Sequence, residues 1–135
     1  MNHFEWRREM LSKYAYLILL FTVMSLSIIG CTSETSATEQ MAQSVMKEDN
    51  NSDIFIMESI LYKKVKVVNE EEFKSVKTTS YGEISMNYQK NKKFQEGMAS
   101  VLPPGTKLYR SVAHPEYVYS NENQRYTLYK SVPEG

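Results

Sequence analysis

The sequence predicts a mainly β domain, α+β at most, forming a small open barrel or two-layer meander of about six short strands after a signal helix and a tether. Three observations predict this. Short runs rich in Ile, Val, Tyr and Thr follow Asp53, and such runs suit a pleated, half-buried surface and are too short for ordinary helices. Turn residues separate the runs. Ahead of them, an uncharged apolar stretch and a polar stretch without aromatic residues divide the chain into residues 1–30, 31–52 and 53–135.

The first segment opens polar, with Arg7, Arg8 and Lys13 against Glu5 and Glu9, and then runs without charge from Tyr14 to Ile29. A basic start, an apolar core and a small residue before a cleavage point form an export signal. A spanning helix needs about 20 apolar residues to cover roughly 30 Å. The run is shorter than that, and an uncleaved single-pass anchor stands as the alternative. Cys31 ends the segment and is the only cysteine of the 135 residues, so the chain has no intramolecular disulfide. A leftover thiol in an exported chain calls for a modification or a reactive role.

The second segment, from Thr32 to Ser52, is rich in Ser, Thr, Glu, Asn and Gln. Such a composition buries too little apolar surface to order itself and reads as a tether; as a flexible coil it would reach about 25 Å. A competing pattern lies inside it. Ser36 and Glu39 have capping-box spacing, and Met41, Ala42, Val45 and Met46 share one helical face, although so short a helix needs a surface to dock on.

In the third segment the strand-type runs fall at 54–57, 60–68, 83–88, 106–112, 116–120 and 125–132. Asn69 before Glu70, Glu71 and Glu72 suits the cap of one short helix. Pro103-Pro104-Gly105 fits a type II turn, and residues 121–124 read as a hairpin loop. The candidate core comprises Ile54, Ile56, Leu61, Val65, Val67, Phe73, Ile84, Met86, Phe94, Val101, Leu102, Leu108, Val118 and Leu128. A domain this small has a narrow stability margin and depends on that core.

Two resemblances add to this reading. Ile28-Ile29-Gly30-Cys31 resembles the lipobox of bacterial lipoproteins, whose common form has Leu first and Ala or Ser second. The resemblance implies cleavage between Gly30 and Cys31 and acylation of the Cys31 sulfur as a thioether, which no other residue type would allow. Two acyl chains would hold durably, since each buried methylene contributes roughly 0.8 kcal/mol. Further on, Gly82-Glu83-Ile84, then Leu102 to Tyr109 (LPPGTKLY), then a hairpin closing on Tyr126-Thr127-Leu128-Tyr129, resemble small uncharacterised lipoproteins and secreted proteins of Bacillus-type Gram-positive bacteria. Members of that family often have a Gly-aromatic-Asp-Pro step before the last hairpin, where this chain reads Val112-Ala113-His114-Pro115. The resemblance implies an envelope context and no particular reaction.

The residues themselves offer little catalysis. His114 would be the only histidine left after cleavage, and its proline neighbour puts it at a turn. Glu83 and Glu96 are the other candidates for a small hydrolase or inhibitor, with nothing in their spacing to pair them. No phosphate loop or metal-spaced His/Cys cluster occurs, so no cofactor or metal is expected. Binding has better candidates: Tyr109, Tyr117, Tyr119, Tyr126 and Tyr129, since a tyrosine offers an apolar ring with a polar tip. Lys63-Lys64-Val65-Lys66 and Lys90-Asn91-Lys92-Lys93 suit anionic headgroups or wall polymers. With 16 basic residues against 16 acidic ones, a nucleic-acid partner is not expected. The expected partners are the bilayer, through Cys31, and an envelope protein or wall polymer. The expectation is thus a non-catalytic binding or accessory lipoprotein at the extracytoplasmic face of the cell membrane.

Overall fold

The computed structural model describes residues 3–25 and 34–134 and divides into two units, Met1–Glu34 and Thr35–Gly135. The first unit carries helix α1, His3–Ser25, where the sequence places its signal helix. Apolar residues along it, Leu17, Ile18 and Phe21 among them, are exposed. No helix among the described residues is long and apolar enough to cross a membrane.

The second unit opens with helix α2, Ala37–Glu48. The capping box forms: Ser36 Oγ accepts from the Glu39 N–H at 3.2 Å, and Glu39 Oε2 accepts from the Ser36 N–H at 3.2 Å. The helix buries Thr38, Ala42 and Met46, and Ala42 and Met46 pack with Ile54, Ile56, Leu61 and Phe94. That packing supplies the docking surface so short a helix requires. Over Ala37–Glu48 the expected coil therefore gives way to the competing helix, and the folded unit begins at Thr35.

The fold is mainly β. Strands β1 (Ile54–Met57), β2 (Ile60–Val68), β3 (Thr78–Glu83), β4 (Met86–Asn87), β5 (Met98–Ala99), β6 (Lys107–Ser111), β7 (Tyr117–Glu122) and β8 (Arg125–Ser131), with helix α3 (Glu70–Ser75), complete it. The eight strands make one sheet in the order β3-β6-β7-β8-β2-β1-β5-β4, an open, curled half-barrel. Neighbouring strands pair antiparallel except β4 and β5, which pair in parallel.

The chain itself requires the curl. β3 and β4 lie at opposite ends of the strand order, yet only Ile84 and Ser85 separate them, and that link spans about 10 Å at most. The two edges must therefore approach. Ser85 fixes the crossing, its N–H donating to the Gly97 carbonyl at 3.0 Å. Gly97 has φ of +79°, and a Cβ there would collide with Ser85 Oγ. Eight strands form where six are expected: β3 precedes the run 83–88 and shares only Glu83 with it, that run supplies the two-residue β4, and β5 is too short to be seen as a run.

Several local expectations hold. Thr106 N–H donates to the Pro103 carbonyl at 3.2 Å, and Gly105 has φ of +88°, as a type II turn requires. Asn69 Oδ1 caps α3 by accepting from the Glu72 N–H at 2.7 Å. The β7–β8 hairpin tightens to a two-residue turn in which Asn123 and Gln124 have φ of 49° and 67°.

β1 is buried on both faces. Phe55 joins Tyr62, Leu108, Val118 and Tyr129 in the interior of the curl, while Ile54 and Ile56 lie under α2. A third cluster, Val68, Tyr119, Tyr126 and Leu128, packs with Phe73 of α3. Four expected core residues, Val65, Val67, Met86 and Val101, are instead about half exposed. For Val65 the cause is a bulge: the β2–β8 register shifts between Lys64 and Lys66, which leaves Val65 unpaired.

Candidate functional site

Gly30 and Cys31 lie outside the described residues. The remaining candidate residues fall in separate places. His114 is exposed, its Nδ1 3.7 Å from Glu116 Oε1, and the nearby Ser111 Oγ accepts from the His114 backbone N–H at 3.1 Å. Glu83 is exposed on β3 opposite Lys107. Glu96 supports a turn, its carboxylate accepting the backbone N–H groups of Glu58 and Ser59. Those residues form the β1–β2 turn with φ of 51° and 61°, a conformation that non-glycine residues hold only with support. Among the described residues no group of His, Cys, Asp and Glu could hold a metal ion.

The five tyrosines do not share one face of the sheet. Tyr109, Tyr119 and Tyr126 gather around Phe73, with ring centroids 5.6, 5.6 and 4.3 Å from it. Tyr117 stands at the margin of that cluster beneath Lys130, whose Nζ lies 5.7 Å from its ring. Tyr129 belongs to the opposite face, fully buried against Phe55. The chemistry that made these tyrosines binding candidates, a broad ring with a polar tip, here serves packing on both faces of the sheet.

Tyr129 donates its hydroxyl to Asp53 Oδ1 at 2.9 Å. Burial pushes the Asp53 carboxyl above its ordinary 3.8, opposed by that hydrogen bond and by Lys64 and Arg125. Burial likewise pushes the Tyr129 phenol up, and the Asp53 charge adds to it. With Asp53 raised, the folded chain binds more protons than the unfolded one between the two carboxyl values. Stability should therefore fall as pH rises through that window. Asp53→Asn, which keeps an acceptor oxygen, should remove this slope. Urea unfolding of both chains between about pH 3 and 7 checks it; a parallel pair of curves would contradict it.

A cleft of about 870 Å³ lies between the C-terminal end of α2 and the loop between β4 and β5. Gln43, Lys47 and Asn51 line one side, and Tyr88, Lys90 and Lys93 the other. Its walls are anchored. Phe94 is fully buried and stacks on Tyr88, centroids 4.9 Å apart. Asn91 takes φ of +68° to turn the loop, and the Lys92 carbonyl accepts from Gln43 Nε2 at 3.5 Å. At the base, Ser100 Oγ accepts from the Ile54 N–H at 2.9 Å and donates to the Ser52 carbonyl at 2.6 Å. The sequence singled out Lys90, Lys92 and Lys93; the contribution of α2 depended on its being a docked helix.

No protein-family model, curated protein or solved structure matches this chain.

Proposed function

We propose that the chain is a cell-envelope lipoprotein, anchored through acylated Cys31 at the extracytoplasmic face of the membrane, whose folded unit is a non-catalytic binding or accessory module. The observation that carries this reading is Ile28-Ile29-Gly30-Cys31, with the chain's only thiol placed directly after an uncharged apolar run. The fold adds a consequence. The folded unit begins at Thr35, four residues beyond Cys31, so lipid on that sulfur holds Thr35 within about 14 Å. The module would ride close to the headgroups rather than at the end of a long tether.

Growth with labelled palmitate tests the reading. Native chain should take up label and Cys31→Ser should take up none, with the serine variant retaining residues 1–30. Equal labelling of the two chains would contradict it.

A further inference from the structure

We infer that the cleft between α2 and the β4–β5 loop is a binding site for a glycan strand that carries negative charge, and this rests on the envelope reading for where such a ligand is met. Charge sets the first condition. Lys47, Lys90, Lys92 and Lys93 border the cleft, against Glu48 and Asp49, which favours an anionic ligand at short range. The same two carboxylates, together with the negative end of the α2 dipole, oppose a ligand as densely charged as polyphosphate. A ligand with sparse negative charge satisfies both conditions.

The neutral lining narrows the class. Gln43, Asn50, Asn51 and Asn91 present amides, each able to donate and accept, as sugar hydroxyls and N-acetyl groups require. Tyr88 adds a half-buried ring, the kind of apolar face on which a pyranose packs. About 870 Å³ falls within the roughly 300–1,000 Å³ of small-ligand sites, and the stacked Phe94 and the Ser100 bonds hold the walls in place before binding. The amide and ring lining favours a glycan over lipid headgroups, for which charge alone would suffice.

The test uses the full chain in detergent and four probes. These are hyaluronan oligosaccharides, which alternate N-acetylated and uronate sugars, neutral chitin oligosaccharides, polyphosphate, and vesicles containing phosphatidylglycerol. Calorimetry should rank the hyaluronan oligosaccharide at least tenfold above chitin and polyphosphate, with affinity falling several-fold as salt rises. Amide shifts should move at Gln43, Tyr88 and Lys92. The exposed triple substitution Lys90→Gln, Lys92→Gln, Lys93→Gln should lower affinity at least tenfold while leaving the melting temperature unchanged. Gln43→Ala provides a second variant on the other wall, with the same direction expected. Equal or tighter binding of polyphosphate or chitin, binding of vesicles alone, or no binding of hyaluronan would overturn the inference. An unacylated Cys31 in a chain that still binds hyaluronan would overturn the lipoprotein reading and leave the cleft assignment standing.

Discussion

Phe55→Ala should cost the fold about 3–5 kcal/mol, the range for removing a buried aromatic ring, out of a total near 5–15 kcal/mol. Phe55 is fully buried at the centre of the curl. Its ring stacks on Tyr62 at 5.0 Å and meets Tyr129 edge-on at 4.9 Å. Neighbours on both sides of the sheet prevent the hole from closing: β1 pairs with β2 on one edge and β5 on the other, and α2 covers its far face. Val65→Ala, at a half-exposed bulge, should change stability by no more than about 0.5 kcal/mol. Urea titration of the three chains measures both effects; a Phe55→Ala loss no larger than that of Val65→Ala would contradict the placement of the core.

Ala42→Asp should be comparably severe, at about 3 kcal/mol or more, because it forces a carboxylate without a partner against Ile54, Ile56, Leu61 and Phe94. The helix either detaches, exposing that surface, or buries the charge. Ser44→Asp on the exposed side of α2 should stay within about 0.5 kcal/mol. The pair discriminates sharply between a docked helix and a polar tether. In a tether neither substitution would matter, so a neutral Ala42→Asp would return residues 37–48 to the coil that their composition suggests.

The difference between those two pictures shows where sequence reasoning reaches its limit. Turns and caps were legible because their cause is local: Pro104 and Gly105 set their own backbone, and Asn69 reaches only to Glu72. The capping box at Ser36 was legible for the same reason. Whether α2 then persists depends on a distant surface, Ile54 to Phe94, and no window of the sequence contains both. Composition argued for coil because the helix shows only a narrow apolar face, which suffices once β1 lies beneath it.

Long-range pairing hid the rest. β4 and β5 are two residues each and carry no alternation to detect. The curl follows from the Ile84-Ser85 link only when the strand order is known. Ring area serves a core and an interface equally, and only the third dimension shows that Tyr109, Tyr119 and Tyr126 converge on Phe73. The lysines of 90–93 were visible as a charge run, but the amides and the second wall that make a cleft of them come from α2.

Whether Cys31 is the lipid anchor is decided by intact mass with N-terminal peptide mapping, on protein extracted in detergent from its own membranes. The expected species begins at Cys31 and carries the mass of a diacylglyceryl group on its sulfur. An unmodified chain that retains residues 1–30 would contradict the lipoprotein reading and make the apolar run from Tyr14 to Ile29 a membrane anchor.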